Sequence, residues 1–328
     1  DDTSANGQRN YTYTGSGGVP VGSLLNKAVF ALKYQEQRIL LSNLINKDSK
    51  ILFERNPRDR VAKVAPWLTL DGDPYPALVD EKIVWIIDGY TTSSGYPYAR
   101  QTVLSNATAD ALTTNSASIA TQRNQSVNYI RNSVKATVDA YNGTVTLYEW
   151  DEKDPVLKTW AKAFPNTIKP KSEISAQLLE HIRYPEDLFR VQRDILSSYH
   201  VKTAEAFYGG QDFWRVPRDP STFGANASAQ PPYYLTLQMP GTKKPAFSLT
   251  TPFVPRGGRE NLSAFAVVNS DPGPEYGKMT VLQLPRNTNV AGPSQVASNF
   301  EAKPEVANSL SLLRRGGSDV VLGNLLTL

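Results

Sequence analysis

Four aspartates between residues 71 and 88 have the chemistry and close spacing of a divalent cation site. Asp71 and Asp73 flank Gly72 in an Asp-x-Asp turn. Asp80 and Asp88 follow within the next fifteen residues. Paired carboxylates can offer hard oxygen ligands to Ca²⁺ or Mg²⁺, but the segment lacks the rest of a calcium-binding loop, and hairpin turns use the same residue types. We favour the turn and keep Asp71 and Asp73 as candidate Ca²⁺ or Mg²⁺ ligands.

A run of hydroxyl and aromatic side chains, residues 88–98, is the better candidate for a binding site. It follows the apolar segment 82–87, which reads as a strand ending at Asp88, and loops at strand ends commonly carry binding groups. Tyrosine rings beside hydroxyls suit a sugar or peptidoglycan-like ligand through stacking and hydrogen bonds. The alternative is a loop packed against the body of the domain. The candidate ligand-binding residues are Asp88, Tyr90, Thr91, Thr92, Tyr96 and Tyr98.

The familiar enzyme signatures are missing from the sequence. It has two histidines, His181 and His200, no cysteine and no H-E-x-x-H, which disfavours a zinc enzyme. There is also no G-x-S-x-G, no P-loop and no G-x-G-x-x-G fingerprint. A binding domain without catalysis is therefore the leading hypothesis. An enzyme using Asp71, Asp73 and Asp88 as metal ligands or acids is one alternative, and it requires these carboxylates to share one cleft. A purely structural assembly domain is the other, and a large exposed apolar patch without a cleft would support it.

Charge and composition narrow the classes of partner. The 328 residues include 35 Lys and Arg against 31 Asp and Glu, and the basic residues mostly stand beside acidic ones. A nucleic-acid-binding protein should concentrate its positive charge on one face, so no nucleic acid partner is expected. The lack of cysteine suits an oxidising exterior, although chance explains it equally well. Both ends look cut, as in an excised piece of a longer protein, and no apolar run approaches the roughly 20 residues of a membrane span.

The periodicity of the first 182 residues predicts alternating helices and strands. Residues 1–22 read as a flexible arm. Ser23 is a candidate cap for a helix whose apolar stripe is Leu25, Val29, Leu32, Ile39 and Leu40. Strands are predicted at 51–53, 67–70, 82–87 and 144–150, a surface loop at 104–126 and a helix at 127–141. Asp154 and Ser172 are predicted to cap two further helices.

Residues 183–220 hold six basic, six acidic and eight aromatic residues, counting His, and they form the densest segment of the chain. A helix should begin after Pro185, with Leu188, Val191, Ile195 and Tyr199 on its apolar face and Arg190 and Arg193 off it. Because the charges balance, we interpret the segment as an ion-paired packing unit. An arginine cluster that binds anions is the alternative.

The remaining residues predict a strand-rich second part. A loop at 221–232 precedes strands at 233–239, 246–253, 263–268 and 278–284, and a helix spans about 304–314. The order of elements predicts an α+β fold with a largely antiparallel sheet and a β-rich C-terminal half. The expected organisation is an arm (1–22), an α/β portion (23–220) and a β-rich portion (221–328) packed as one unit.

Several long motifs resemble an uncharacterised family of large actinobacterial and cyanobacterial membrane proteins. They include residues 183–220, the Y-x-G-x-G-G-V-P motif from Tyr13, residues 58–61, 68–76 and 88–93, PFVPRGGRENL at 252–262 and residues 316–328. The resemblance implies several N-terminal transmembrane helices, absent here, followed by a large domain outside the cytoplasm, of which this chain is similar to a part. The expected partners are that transmembrane region and an envelope glycan or protein. The family implies no activity and no catalytic residue.

Overall fold

The computed structural model describes residues 13–113, 119–222, 228–285, 287–318 and 320–327. Its helices are α1 (Leu24–Tyr34), α2 (Arg38–Leu41), α3 (Pro57–Val64), α4 (Leu104–Ala107), α5 (Pro155–Ala163), α6 (Ala176–His181), α7 (Glu186–Tyr199), α8 (Ala204–Gly209), α9 (Pro293–Glu301) and α10 (Pro304–Leu313). Short 3₁₀ turns occupy Ala109–Thr113, Lys171–Glu173 and Arg315–Gly317.

The strands are short except for three long ones that form the centres of the sheets. They are β1 (Val19–Pro20), β2 (Lys50–Ile51), β3 (Thr69–Leu70), β4 (Tyr75–Val79), β5 (Lys82–Ser93), β6 (Thr102–Val103), β7 (Ser126–Val127), β8 (Tyr129–Asp139), β9 (Val145–Glu149), β10 (Ile168–Lys169), β11 (Trp214–Arg215), β12 (Tyr233–Leu237), β13 (Ala246–Pro255), β14 (Ala264–Asn269) and β15 (Met279–Gln283). The predicted α+β class is confirmed.

The first sheet has six strands and is built around the long antiparallel pair β5 and β8. Its order is β10-β9-β8-β5-β3, with β4 also paired to β5, and β9 and β10 run parallel. Helices α3 and α5 pack Val61 and Leu157 against Ile87 and Val134 on one side of it. These apolar contacts form the first core of the chain.

The second sheet has five antiparallel strands around β13. Its order is β11-β13-β14-β15, with β12 paired to the same edge of β13 as β11. The four strands predicted in this part, at 233–239, 246–253, 263–268 and 278–284, are confirmed as β12 to β15. The helix predicted at about 304–314 is confirmed as α10, whereas α9 was not predicted. Of the predicted 221–232 loop, residues 223–227 lie outside the described residues.

Helix α7 joins the two sheets. Its Leu188 and Phe189 pack in one buried cluster with Tyr90 of β5 and with Leu249 and Val268 of the second sheet. The side chains of α7 therefore meet both sheets at once, and this helix sets how they pack together.

The helix predicted at 127–141 is wrong, because this segment forms β8 at the centre of the first sheet. Val134 and Val138 are β-branched and favour strands. Every residue from 132 to 138 is buried, so polar residues such as Asn132 and Lys135 lie inside as well. A strand covered on both faces loses the alternation of apolar and polar residues, and chance helical spacing then misleads.

The strand predicted at 82–87 extends to Ser93, so residues 88–93 belong to a strand and not to a loop. The pairing of β5 with β8 continues past Asp88 through a bulge between Gly89 and Tyr90, which leaves Ser133 of β8 without a partner in the register. Bulges maintain pairing while re-aiming side chains, and glycine often marks them.

The surface loop predicted at 104–126 is wrong for much of its described length. Leu104, Thr108, Asp110 and Gln122 are buried, and α4 packs near α7. Part of this polar segment is buried because Asp110 pairs with a buried arginine of α7, Arg193. Composition alone could not indicate such pairing. Residues 114–118 lie outside the described residues.

The predicted helix caps at Ser23 and Asp154 are confirmed, since each side chain accepts hydrogen bonds from N–H groups of the first turn. The cap predicted at Ser172 is wrong, because Ser175 caps α6 by accepting from Leu178 N at 3.1 Å. Ser172 lies in the preceding 3₁₀ turn. Several polar candidates lay within one turn of the true start, and sequence alone did not separate them.

Helix α7 begins at Glu186 as predicted, but its predicted apolar face is wrong in half of its residues. Ile195 and Tyr199 are 38% and 52% exposed, whereas Arg190 and Arg193 are buried. The arginines are buried because carboxylates surround their guanidinium groups, which the apolar stripe could not predict.

The described part of the expected N-terminal arm packs against the rest of the chain. Of the expected arm, residues 1–12 lie outside the described residues, while β1 pairs with β2 and Tyr13 packs on Tyr141. Residues 320–327 contain no strand. Among the described residues, no helix combines the length and the hydrophobicity that crossing a bilayer requires.

Candidate functional site

Asp71 lies buried between the first sheet and the start of α7. Its carboxylate accepts hydrogen bonds from the Tyr90 hydroxyl and, at 3.1 Å, from the backbone N–H of Asp187. Its other oxygen accepts from Asp73 N at 2.9 Å. The two oxygens are thus engaged by groups of the protein itself, and Asp71 links the Asp-x-Asp turn to strand β5 and helix α7.

Asp187 makes the reciprocal connection from α7 back to the turn. One of its oxygens accepts from Gly72 N at 2.9 Å and from the Gln122 amide at 2.6 Å, and the other accepts from Arg190 at 3.0 Å. Gly72 has no room for a side chain, because a Cβ atom there would lie 2.0 Å from the carbonyl oxygen of Ala120. The close approach of residue 120 requires glycine at this turn.

Asp88 forms a buried ion pair with Lys135 of the neighbouring strand β8. The Lys135 ammonium also donates to the carbonyl of Arg183 and to the Tyr276 hydroxyl, each at 3.1 Å. Asn132 donates to Asp88 at 2.9 Å. Burial raises the pKa of Asp88 and lowers the pKa of Lys135, since each charge loses hydration, and the pairing opposes both shifts.

Arg183 and Asp73 form an ion pair of 2.6 Å at the edge of the same region. The guanidinium of Arg183 lies over the rings of Tyr75 and Tyr234, at 3.8 and 4.6 Å from their centroids. Burial raises the pKa of Asp73, with Arg183 acting in the opposite direction. A pocket of about 220 Å³ lies over Tyr75 and Arg183.

The arginines of α7 complete the network. Arg193 binds Asp110 at 2.6 Å, while Arg190 binds Glu186 at 2.8 Å and Asp187 at 3.0 Å. The alternative of an anion-binding arginine cluster is therefore not supported at these two residues, because their guanidinium groups are buried against carboxylates of the protein.

These side chains form one set, which we name the buried charge cluster. Its six acidic and four basic members are Asp71, Asp73, Asp88, Asp110, Glu186, Asp187, Lys135, Arg183, Arg190 and Arg193. Within the ranges that the structure describes, no three His, Asp or Glu side chains are placed to share a metal ion. The cluster can hold the sheet and the helix together, and it offers a ligand little access.

The other candidate ligand-binding residues lie apart from this cluster. Thr91 is buried and donates at 2.5 Å to Asp154, the cap of α5, and Thr92 bonds Thr69 across the sheet at 3.2 Å. Tyr96 and Tyr98 are exposed. The structure therefore brings Asp71, Asp88 and Tyr90 into one buried region, and it leaves the two later tyrosines on the surface.

Asp154 explains why Thr91 points inward. Its carboxylate accepts from Thr91, Ser133 and Tyr129 and from two N–H groups of the first turn of α5. Burial would raise the pKa of Asp154, but these hydrogen bonds outweigh it and lower the pKa below its ordinary value. Thr91 is thus part of a helix cap within the core.

An open groove of about 900 Å³ lies between the end of α7 and the second sheet. Twelve of the nineteen described residues that line it are polar or charged, and eight of these carry carboxamides or hydroxyls: Gln211, Asn261, Gln283, Asn287, Asn289, Thr203, Ser263 and Thr288. Lys202 and Arg259 supply positive charge, while Asp212 is the one acidic residue among the described lining residues. This composition suits a hydroxyl-rich ligand that carries an acidic group.

The wall of the groove is held rigidly by His200 and Trp214. Their rings stack with centroids 3.5 Å apart, and the two ring nitrogens of His200 lie 2.9 and 3.0 Å from the carbonyl oxygens of Leu196 and Asp212. The histidine thus ties the end of α7 to the strand that begins at Trp214.

The groove was not predicted from the sequence. Two of the segments that line it, residues 183–220 and 252–262, are ones that the family resemblance had drawn attention to, and they contain Lys202, Arg259 and Asn261. A third segment, residues 283–285 and 287–289, carries no such motif. The signal available in the sequence was that both of these motif segments resemble the same family. Their meeting depends on β11 pairing with the end of β13, a long-range contact that no local pattern specifies.

The structure defines an α+β fold with two main sheets, a buried charge cluster and an open polar groove. The chain belongs to the UPF0182 family, an uncharacterised protein family whose model matches residues 1–313. It is 54% identical to UPF0182 proteins of Streptomyces coelicolor, Frankia casuarinae and Thermobifida fusca, over 100%, 97% and 98% of its own length. The family membership expected from the motifs is confirmed.

The chain spans about a third of the length of these curated relatives, namely 32%, 31% and 31%. No solved structure matches the chain. The activity and partners of the whole protein are therefore matters for proposal.

The buried charge cluster predicts an unusual dependence of stability on pH. Burial raises the pKa of Glu186 and of Asp187 to about 7, and repulsion from Asp71 adds to the shift of Asp187. In the unfolded chain both carboxyls ionise near pH 4, so between about pH 4.5 and 7 the folded state binds more protons. We expect the free energy of unfolding to fall as the pH rises through this window.

Replacing Glu186→Gln should flatten that fall by up to about 1.4 kcal/mol per pH unit, the value for one proton. Urea denaturation at several pH values measures it, and Glu205→Gln on the exposed surface of α8 serves as the control. A Glu186→Gln curve that runs parallel to the wild-type curve would show that Glu186 does not titrate in this window.

Proposed function

We propose that this chain is an extracytoplasmic binding domain of a larger envelope membrane protein, and that its groove binds an acidic envelope glycan. The observation that carries the proposal is the lining of the groove, where carboxamides and hydroxyls surround Lys202 and Arg259. Amide and hydroxyl groups can both donate to and accept from sugar hydroxyls. The two cations in the lining, Lys202 and Arg259, favour a carboxylate or phosphate on the ligand.

The cellular setting is supported by features outside the groove. The motifs of the chain resemble a family whose members have transmembrane helices followed by a domain outside the cytoplasm. The chain covers about a third of its relatives, which leaves room in them for other parts. It has no cysteine, which suits an oxidising compartment.

Binding is favoured over the enzyme alternative by the position of the carboxylates. Asp71 and Asp88 do lie close, since Asp71 N donates to the carbonyl of Asp88 at 2.9 Å. Both side chains are buried, however, and Tyr90 and Lys135 occupy their oxygens. A metal-assisted hydrolase needs open coordination positions and access for its substrate.

The groove predicts selective binding of an acidic disaccharide. We expect a muramic-acid-containing disaccharide to bind more tightly than the neutral N-acetylglucosamine disaccharide. The double variant Lys202→Ala, Arg259→Ala should weaken binding of the acidic sugar about 10-fold or more, because it removes the charge-assisted hydrogen bonds. Isothermal titration calorimetry measures both affinities.

The matched control is Lys243→Ala, Lys244→Ala, which removes two exposed lysines beyond the opposite end of β13. It should leave the affinity unchanged. Equal binding of both sugars, or equal loss in the two double variants, would contradict a specific acidic-glycan site in the groove.

The proposed location makes a separate prediction in the full-length protein. A cysteine-free version carrying Lys158→Cys, on the exposed side of α5, should react with a membrane-impermeant maleimide in intact cells. Leu157→Cys, the buried neighbour, should react only after denaturation. Labelling of residue 158 only after the membrane is permeabilised would place the domain in the cytoplasm.

A further inference from the structure

Helix α1 turns an apolar face toward solvent. Leu24, Leu25, Ala28, Val29 and Leu32 fall on one side of the helix, because their spacing follows the helical repeat. The spacing of Leu25, Val29 and Leu32 predicts an apolar stripe on this helix, and such a stripe ordinarily packs against a core. In the structure these side chains are exposed instead.

We name this region the leucine surface. Its members are exposed by 54% to 91%: Leu24, Leu25, Val29, Leu32, Leu41 and Leu44. Single exposed apolar residues are common on folded proteins, whereas five leucines and a valine exposed within 21 residues are a feature of an interaction site. Nothing in the described parts of the chain covers them.

The leucine surface is presented on a fixed support. Phe30, on the other side of α1, is buried and packs edge-on against Phe53 at 5.8 Å. Lys27 donates to the carbonyl of Ile45 at 2.7 Å and so ties the segment after α2 to α1. These contacts anchor the helix from behind, and the exposed leucines are therefore not the result of an undocked helix.

The charge around the leucine surface is positive. Residues 24–50 contain five basic and two acidic side chains, which gives a net charge of +3. Lys27 and Lys33 are held behind the helix by the carbonyl of Ile45 and the ring of Phe53. The other cations, Arg38, Lys47 and Lys50, are exposed, as are the acidic Glu36 and Asp48. Exposed leucines together with surrounding Lys and Arg are the combination found in elements that lie in the plane of a membrane interface. The apolar chains enter the acyl boundary while the cations meet anionic headgroups.

We propose that the leucine surface docks the domain onto an anionic lipid bilayer surface, with α1 lying parallel to the membrane plane. The contact is independent of the groove, which is formed by α7, α8 and the second sheet. It orients the domain relative to a membrane without any spanning segment of this chain.

Vesicle co-sedimentation of the 328-residue chain tests this proposal. We expect binding to vesicles containing phosphatidylglycerol, weaker binding to pure phosphatidylcholine vesicles and release at high salt. The double variant Leu25→Ser, Leu32→Ser should lower the partition coefficient about 10-fold or more, because it removes two exposed leucines. Leu312→Ser, Leu313→Ser, on the exposed side of α10, is the matched control and should bind as the wild type does.

A second variant guards against misfolding. Leu44→Ser changes the most exposed leucine, which lies outside any helix, and it should weaken binding with an unchanged thermal unfolding curve. The proposal is overturned if the wild type does not bind anionic vesicles, or if it binds neutral vesicles equally well. It is also overturned if the leucine variants change only the oligomeric mass, because the surface would then join copies of the chain.

Discussion

The requirement that buried charges be paired controls the centre of this molecule. Asp88 and Lys135 lie opposite each other on neighbouring strands with almost no contact with water. Removing water from either ion costs several kcal/mol, so each is tolerable only beside its partner and with its remaining hydrogen bonds satisfied. The carbonyl of Arg183 and the hydroxyl of Tyr276 complete that set for Lys135 and connect the first sheet to the segments that lead into α7 and the second sheet.

The same requirement fixes α7. Asp187 and Asp71 exchange hydrogen bonds with the backbone of each other's segment, through Gly72 N and Asp187 N. The start of the helix is thereby locked to the edge of the first sheet, while Leu188 and Phe189 meet the second sheet. At its other end, His200 stacks on Trp214 and forms the wall of the groove. The cluster thus acts on the groove through the position of one helix.

This arrangement divides the conspicuous segment 183–220 into a buried half and a half that lines the open groove. Its first half supplies Glu186, Asp187, Arg190 and Arg193 to the interior. Its second half supplies Lys202 and Gln211 to the open groove. The balanced charge of the segment correctly indicated the ion pairs of its first half. It gave no sign that Lys202, in the second half, is exposed in the groove.

The sequence predicted the features that depend on neighbouring residues. The caps at Ser23 and Asp154 and the four strands β12 to β15 follow from local hydrogen bonding and from alternation beside turns. The strand β8 and the inward-facing 104–126 segment could not be predicted in this way. Their character depends on burial by distant elements and on charge partners such as Asp110 with Arg193, which local patterns do not report.

The leucine surface shows a related limit of sequence reasoning. Periodicity identified an apolar stripe on α1 but not the direction in which it faces, because a stripe has the same spacing whether a core, another protein or a membrane covers it. Likewise, Asp88 and Tyr90 stood out as chemically capable residues, and only the continuation of β5 shows that they lie in the interior.

A double-mutant cycle on Asp88 and Lys135 tests the structural role of the buried charges most directly. Asp88→Asn and Lys135→Met should each lower the free energy of unfolding by about 3–5 kcal/mol, because each leaves an unpaired buried charge. The double variant should lose much less than the sum of the two, by at least ~1 kcal/mol, since it leaves no charge unpaired. Urea denaturation gives all four values. Additive losses, or single variants as stable as the wild type, would contradict the central role of this ion pair.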